Sequence, residues 1–331
     1  MLWYLSLDNF NDYKSYTDFI KSHPKVSYFH STEFFLALKS TPGIIPLSII
    51  VVDDNNKIKA ILLGEISNES SFLPFFTRRL IIHANPLYCD IHYLELIVRK
   101  LISRKYGLFI QIRTLFGFER EELSVYNKYG FVFNDHLSST IPIKNVSIES
   151  LVRDFKKDKI KGIKQAINKF NLTIEEYDDI ELSIEEFYRM ISILYNKKRH
   201  TLKSKQYFFN LVKHSNNQIK IAFALYNNIP IAAQLYSEYD YVLTALYAAT
   251  LNEFKDKHGG DYLIFYLLDK CIKSGKHLFD FGGGGNPNVV YKPREYKARF
   301  GTVFNNVGRL VLPQSLLYSL VISIYYRIVK N

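Results

Sequence analysis

The sequence predicts an α/β fold, of the α+β kind, in which one unit of mixed sheet and covering helices occurs twice. Ile49–Gly64 and Ile221–Tyr236 are each two apolar strands joined by an Asn-Asn turn, and asparagine tolerates left-handed backbone. Tyr93–Ile112 and Tyr262–Phe281 each open with Tyr-Leu, continue as an amphipathic helix and pass a glycine into a strand. Nearly the same number of residues separates the members of each pair, which favours a duplication over chance.

The order of elements in the repeat also predicts the domain boundaries. Each copy runs strand, turn, strand, further strand, helix, strand, which is typical of helices packed on a mixed sheet. We expect a first domain at residues 1–145 and a second at 146–308, because the short strand Ser139–Ile143 is followed by a break near Pro142–Ser147. Residues 309–331 are expected to form a C-terminal apolar helix.

The predicted tail helix has two alternative surroundings. Leu310–Val329 is the most apolar stretch of its length, but Pro313 and Arg327 interrupt it and it falls short of a full membrane span of about 20 apolar residues. Either it packs into the core, or its basic flanks hold it against an anionic membrane surface as a peripheral contact.

Composition and charge exclude some classes of protein. The chain has 331 residues with 25 Tyr and 25 Phe, so it is not expected to be disordered. Its formal charge of +11 favours anionic partners such as nucleic acid, phosphate-bearing substrates or a membrane surface. Two cysteines give no disulfide framework, and Cys89 and His92 form a lone C-x-x-H, so no metal site is predicted. The start, MLWYLSLDNF, lacks the basic region of a signal peptide, and a cytoplasmic location is expected.

His277–Gly301 is the main candidate site. A short apolar strand carries Asp280 and runs into four glycines, Gly282–Gly285, whose missing Cβ atoms would let backbone approach a ligand closely. Interleaved with aromatic residues, four cations follow: Lys292, Arg294, Lys297 and Arg299. This arrangement predicts a site for an anionic ligand or for charge that develops during a reaction. The alternative is a tight turn followed by a solvated basic loop.

A second basic segment opens the second copy. In Ser150–Phe170, helical spacing predicts that Ile160, Ile163, Ile167 and Phe170 share a buried face. Lys157, Lys161 and Lys164 fall together on another face. They indicate a phosphate-binding rim, with a solvated helix face as the alternative.

Several phrases resemble those of one known family. They are KKDKIKGIKQAINK, YAATLNEF, GGDYLIFYLLDKCIKSG, FDFGGGG and EYKARFG in the second half, and HSTEFFLAL and HANPLY in the first. Together they resemble the Fem-type aminoacyltransferases and the related acetyltransferase-like proteins of bacterial envelope and polysaccharide pathways. The resemblance implies two fused GNAT-like domains, with the main site in the second copy.

The resemblance also implies an activity. An acyl or aminoacyl group would pass from an activated donor, aminoacyl-tRNA or acyl-CoA, to an amino group of a phosphorylated or lipid-linked envelope precursor (peptidoglycan or amino-sugar polysaccharide). The donor is a co-substrate, and no tightly bound cofactor is expected. Two features depart from relatives. The helical hairpin that some Fem enzymes use for tRNA is missing, and the loop that binds CoA in GNAT domains is replaced by Lys255–Asp261, where Asp261 would repel a pyrophosphate at a helix N-terminus.

Residue roles follow from the resemblance and from the charge of each group. Lys297 matches the lysine of the family's aromatic-Lys-x-x-Phe-Gly phrase and would stabilise an oxyanion or donor phosphate, while Asp280 would orient the acceptor amine. Donor and phosphate binding is assigned to Gly282, Gly283, Gly284, Lys292, Arg299, Lys157, Lys161 and Lys164. Further pocket candidates are Tyr236, Tyr247, Arg113 and Arg199. The alternative is a core role for the two tyrosines and an exposed surface position for Arg199.

Two other classes of protein remain possible on the sequence alone. A nucleic-acid-binding protein would explain the charge and the mixture of tyrosine and lysine, but not a glycine loop at the end of a strand. A non-catalytic, membrane-associated envelope assembly protein would explain the apolar tail and the altered CoA loop.

Overall fold

A computed structural model describes residues 3–68, 77–198, 201–315 and 320. These residues form two compact units. The first unit contains the described residues up to Asp135 and those from Val307 onward, and the second contains those between His136 and Asn306.

The first unit is a mixed sheet with its helices. Its strands are β1 (Trp3–Leu5), β2 (Ile44–Val52), β3 (Ile58–Asn68), β4 (Arg78–Ile82), β5 (Leu87–Tyr88), β6 (Phe109–Ile112), β7 (Val132–Asn134) and, from the end of the described chain, β15 (Arg309–Pro313). Its helices are α1 (Tyr13–Lys21), α2 (Thr32–Lys39), α3 (Ile91–Ile102) and α4 (Arg120–Lys128). The strands lie in the order β1-β2-β3-β4-β6-β15-β7, and β5 pairs with β3.

The second unit repeats this plan. Its strands are β8 (Leu137–Pro142), β9 (Thr173–Glu176), β10 (Ile219–Tyr226), β11 (Ile229–Tyr239), β12 (Val242–Thr250), β13 (Leu278–Gly285) and β14 (Val303–Asn306), in the order β9-β10-β11-β12-β13-β8-β14. Its helices are α5 (Ile148–Arg153), α6 (Lys157–Asn168), α7 (Ile180–Lys198), α8 (Lys205–Lys213), α9 (Gly259–Lys273) and α10 (Lys292–Ala298). Helix α9 packs on β10, β11 and β12 and supplies much of the core.

The predicted duplication is confirmed. In both units an antiparallel hairpin, a further antiparallel strand, a helix and a parallel strand follow one another and occupy the same places in the sheet. The asparagine turns of the two hairpins use the left-handed backbone expected of them, with φ of 57° at Asn56, 50° at Asn227 and 62° at Asn228. Mixed sheets covered by helices are therefore built twice from one pattern.

The copies differ from the prediction where each sheet ends. Strand β8, which the sequence placed in the first domain, pairs with β13 and β14 of the second sheet, so the second unit begins before the predicted boundary near Pro142–Ser147. In exchange, β15 enters the first sheet between β6 and β7. Hydrophobic patterning identifies a strand but does not say which sheet it joins, because pairing partners lie far away in the sequence.

The C-terminal segment also differs from its prediction. Residues 309–313 form β15 rather than the start of a helix, with Leu310 fully buried and Val311 6% exposed. A short apolar run in the sequence does not distinguish a buried strand from a helix. Here the segment is a strand because its backbone pairs with β6. The rest of the predicted helix lies almost entirely outside the described residues. Within the described residues, no helix has both the length and the apolar character needed to span a membrane.

The exchange of strands makes the first unit depend on β15. We expect Leu310→Ala to lower the free energy of unfolding of the first unit by about 2–5 kcal/mol, because it leaves a cavity beside Ile112, its partner in the ladder. Val132→Ala, at a 56% exposed position on neighbouring β7, should change it by no more than about 0.5 kcal/mol. Urea unfolding of both variants measures the difference, and equal effects would contradict a buried role for β15.

Candidate active site

The parallel strands β12 and β13 are paired for only part of their length. Ladder partners run from Val242 with Leu278 to Thr244 with Asp280, after which β12 continues to Thr250 while β13 stays paired with β8 alone. A cavity of about 270 Å³ opens beside the unpaired part of β12. Its walls come from β11, β12, β13, the start of α9 and α10, and most are small or apolar. A concave, mostly apolar space with a few polar groups is the usual form of a small-ligand site.

A β-bulge shapes the wall on β12. Leu235 pairs with Tyr247 but Tyr236 pairs with Ala245, so Leu246 has no partner in the ladder with β11 and lines the cavity. The buried Gln234 amide secures the bulge, since its Nε2 donates to the carbonyl oxygens of Leu235 at 3.0 Å and Tyr247 at 2.9 Å. The bulge therefore holds an irregular piece of backbone in a fixed shape next to the cavity.

The glycine run follows the last paired residue of β13. Gly282 and Gly285 have φ of 79° and 75°, which favour glycine. A Cβ on Gly284 would lie 2.9 Å from the Cβ of Leu137 on β8, so this glycine permits close strand packing. The N–H of Gly282 donates to Oδ1 of Asp280 at 2.8 Å. The run thus bends the strand over the carboxylate, and the bulged pairing with β8 accommodates the bend.

Asp280 lies at the point where β12 and β13 separate. Its side chain is 8% exposed, and this burial raises the pKa of the carboxyl to about 6. The hydrogen bond from Gly282, the charge of Lys297 and a hydrogen bond with Thr244 oppose the rise in pKa. Thr244 is the ladder partner of Asp280, and its contribution was not predicted from the sequence, where nothing distinguishes it from other strand residues.

Lys297 reaches the same place from α10. Its Nζ donates to the carbonyl oxygen of Gly283 at 2.9 Å and lies 5.4 Å from the centre of the Phe281 ring. Burial lowers the pKa of the ammonium from its ordinary 10.5 to about 8, and the carboxylate of Asp280 limits this fall. Lys297 lines the cavity, and Asp280 is the chain neighbour of Phe281, which also lines it. An acid and a base whose pKa values are both moved towards neutrality are typical of a catalytic site.

Comparisons with known proteins agree with this geometry. Residues 157–298 match the family model for the acetyltransferase (GNAT) domain. The matched residues lie within the second unit. The predicted enzyme class, acyltransferase, is thereby confirmed. No curated protein matches the whole sequence significantly.

Solved structures extend the similarity of fold to nearly the whole chain. The structure of FemX is 14% identical with a TM-score of 0.70, and the match covers 96% of this chain and 98% of that one. A tandem GNAT protein from the clavulanic acid biosynthesis pathway is 8% identical with a TM-score of 0.61, covering 95% and 99%. L-PGS from Bacillus licheniformis is 12% identical with a TM-score of 0.59, covering 96% of each chain. The predicted tandem GNAT-like fold is confirmed, and the chain shares this fold with FemX.

The four cations predicted after the glycine run have different positions in the GNAT domain. Lys297 alone among them lines the cavity. Arg294 fixes the loop, because its guanidinium donates to the carbonyl oxygens of Gly284, Asn286 and Val289. Arg299 pairs with Asp158 of α6 at 2.7 Å, and Lys292 is an exposed residue in the first turn of α10. Which side of the seven-residue helix α10 faces the cavity decides these roles, and the sequence alone does not determine that side.

Three of the four further pocket candidates are described by the structure, and these three do not line the cavity. Tyr236 is fully buried in the core, where its hydroxyl donates to Oε1 of Glu176 at 2.5 Å, and Tyr247 packs edge-on against Phe208 of α8. Arg113 belongs to the first unit and its Nε donates to Gln111 at 2.8 Å. Arg199 lies outside the described residues. Tyr236 is therefore a core residue, whereas Tyr247 is only partly buried.

Helix α6 has a different buried face from the one expected. Ile163 is buried, but Ile167 is 38% exposed, and Gly162, Ala166 and Lys159 turn inward. Lys157, Lys161 and Lys164 lie exposed along one shallow surface of the helix, as predicted. The difference arises because Gly162 lets α6 pack closely on the start of α9: a Cβ there would lie 2.7 Å from Nδ1 of His258.

Asp261, the acid in the altered CoA loop, is bound within the domain. Its Oδ1 accepts hydrogen bonds from Nζ of Lys159 at 2.8 Å and from the hydroxyl of Tyr296 at 2.9 Å. Lys159 was not predicted as special, because five further lysines lie between residues 156 and 169 and nothing in the sequence distinguishes it from them. In the described part of the chain, no group of three or more His, Cys, Asp or Glu residues is placed to hold a metal ion.

Proposed function

We propose that the second unit transfers an acyl or aminoacyl group from an ester or thioester donor to an amine of a bacterial envelope precursor. The observation that carries this proposal is the pair formed by buried Asp280 and partly buried Lys297 where the paired part of β12 and β13 ends. Amine attack on an ester needs an acceptor for a proton and a stabiliser for a negatively charged oxygen. These two side chains have the charges for both tasks.

The reaction is a single addition and elimination at the acyl carbon. The amine nitrogen forms a bond to that carbon, the carbonyl electrons move to oxygen, and the tetrahedral intermediate then expels the donor's hydroxyl or thiol. The proton lost by the amine ends on the leaving oxygen or sulfur. Protonated Lys297 would stabilise the oxyanion, and ionised Asp280 would orient the amine and accept its proton. Both groups are mostly in these charged forms between about pH 6 and pH 8.

An acceptor with a phosphate or a lipid-linked diphosphate fits the charges near the cavity. Lys292 lies exposed in the first turn of α10, which ends in Lys297 and Ala298. Gly282 and Gly283 leave backbone accessible beside the two catalytic candidates, and Arg299, although paired with Asp158, is half exposed. The Fem-type fold supports an acceptor from peptidoglycan assembly, and an amino-sugar polysaccharide is the alternative within the same chemistry.

The exposed lysines of α6 favour aminoacyl-tRNA as the donor. Lys157, Lys161 and Lys164 follow one another along one surface of the helix, and the inner side of this helix contacts Tyr296, the neighbour of Lys297, through Lys159. A row of cations suits a long polyanion better than a single phosphate. This row would supply contacts to the nucleic acid without the helical hairpin found in some Fem-type enzymes.

Substitution of Lys297 tests the proposed chemistry. Lys297→Met and Lys297→Ala should lower the rate of transfer by about 10²–10³-fold, because each removes the charge that stabilises the oxyanion. Transfer of a radiolabelled amino acid from aminoacyl-tRNA to a panel of nucleotide-linked and lipid-linked peptidoglycan precursors measures the rate. Lys273→Met, at an exposed lysine on α9, is the matched control and should retain the wild-type rate. Wild-type turnover in both Lys297 variants would contradict the proposal.

Substitution of the α6 lysines tests the donor. Changing Lys157, Lys161 and Lys164 together to glutamine should weaken tRNA binding at low salt. It should also reduce the slope of log affinity against log salt by about 2, since fewer phosphate contacts form and fewer counterions are released on binding. The control is the triple change of Lys14, Lys21 and Lys105, which are exposed in the first unit. Fluorescence anisotropy over a range of salt concentrations gives both slopes. Equal slopes for the two triple variants would reject the α6 surface as the tRNA site.

A further inference from the structure

The start of α9 has the features of a phosphate site. The first N–H groups of a helix have no partner within it, and its dipole favours negative charge, so an acyl-CoA donor would be expected to place its diphosphate there. Gly259 and Gly260 open the helix next to the cavity, and Gly260 is one of the residues that line it. The question is whether the surrounding residues leave this position to a ligand.

The residues around the start of α9 do not leave this position to a ligand, because a carboxylate of the chain already occupies it. Asp261 lies in the first turn of α9 and is 7% exposed. It accepts hydrogen bonds from Lys159 at 2.8 Å and Tyr296 at 2.9 Å, and its Oδ2 lies 3.4 Å from Nδ1 of His258. A basic nitrogen, a hydroxyl and a helix N-terminus are the groups that bind a phosphate in other proteins. Here they surround a side chain instead.

The packing of α6 closes the same position. Lys159 is itself only 8% exposed, and its Nζ lies 4.4 Å from the centre of the Tyr296 ring. Three residues along the helix, a Cβ on Gly162 would lie 3.2 Å from Oδ2 of Asp261. Helix α6 therefore lies directly over the start of α9. A diphosphate would have to displace a buried ion pair and would meet an uncompensated carboxylate.

We propose that Asp261 is a built-in anion that occupies the phosphate position of this GNAT domain and excludes the diphosphate of acyl-CoA. The domain accordingly selects donors that carry no diphosphate near the acyl group, such as an ester at the end of a nucleic acid. Lys159, Tyr296 and the start of α9 form a latent phosphate site that the carboxylate keeps filled. This proposal concerns anion binding by the second unit and holds independently of the reaction proposed above.

Removing the carboxylate should open the latent site. In Asp261→Ala, the ammonium of Lys159 loses its partner, so the variant should be less stable than the wild type and should recover stability when an anion binds. We expect inorganic pyrophosphate to raise the melting temperature of Asp261→Ala but not that of the wild type. Isothermal titration calorimetry should show pyrophosphate binding at least about tenfold tighter than to the wild type. Acetyl-CoA should give no measurable binding to the wild type.

Three further variants make the test specific. Asp269→Ala removes a different carboxylate from the same helix and should behave as the wild type does. Lys159→Met combined with Asp261→Ala opens the same space without the cation and should not bind pyrophosphate. Asp261→Asn keeps nearly the same shape without the charge, so it serves if the alanine variant does not fold, and it too should gain affinity over the wild type. Wild-type binding of acetyl-CoA or pyrophosphate as tight as that of the variants, or no gain in a folded Asp261 variant, would overturn the proposal.

Discussion

The separation of β12 from β13 after Thr244 and Asp280 is the constraint on which the candidate site depends. Two parallel strands normally continue their ladder until one of them ends. Here the glycine run bends β13 away while the bulge at Leu246 reshapes β12, so the strands part and a cavity opens between elements that are otherwise tightly packed. Ala245 and Phe281, the residues that directly follow the last ladder pair, are held by the sheet and line the cavity.

The place where the two strands separate explains the shifted pKa values of Asp280 and Lys297. Asp280 is the last residue of β13 in the ladder with β12 and is buried by the sheet around it, which raises the pKa of its carboxyl. Lys297 comes from a short helix that Arg294 anchors to the glycine loop through three backbone carbonyls. The ammonium has a lowered pKa because it lies in the same poorly hydrated space. Rigid support for both groups is what an acyl transfer needs, since small misplacements of catalytic groups cost large factors in rate.

Sequence patterns predicted turns and hairpins correctly but did not predict features that depend on contacts between residues far apart in the sequence. The alternation of apolar residues and the asparagine turns at Asn56 and Asn228 identified the duplicated hairpins. Two glycines of the run after Asp280 have the left-handed backbone expected of glycine, and the place of this run at the centre of a site stays a prediction. The exchange of β8 and β15 could not be predicted, because a strand carries no signal for the sheet that it joins. Lys159 looks like the exposed lysines around it, and only the packing of α6 on α9 reveals that it is buried.

Tyr236 is a second residue whose role depends on contacts that are distant in the sequence. An inward-facing tyrosine on a central strand suits either a pocket or a core, and the sequence leaves both open. Two contacts place Tyr236 in the core. Its hydroxyl donates to Glu176 on the edge strand β9, and Nζ of Lys270 on α9 lies over its ring. Both partners are remote in sequence, so their effect appears only once the sheet is assembled.

The titration of Lys297 tests the central claim most directly, since it requires no knowledge of donor or acceptor. Competitive labelling of lysines at a series of pH values, read by mass spectrometry, gives the pH at which Lys297 becomes reactive. We expect a midpoint near pH 8 in the wild type. Asp280→Asn should lower this midpoint, because it removes the carboxylate that raises the pKa of Lys297, and Asp269→Asn should leave it unchanged. A midpoint near the ordinary lysine value of 10.5, or one that Asp280→Asn leaves unchanged, would contradict a desolvated and electrostatically coupled pair.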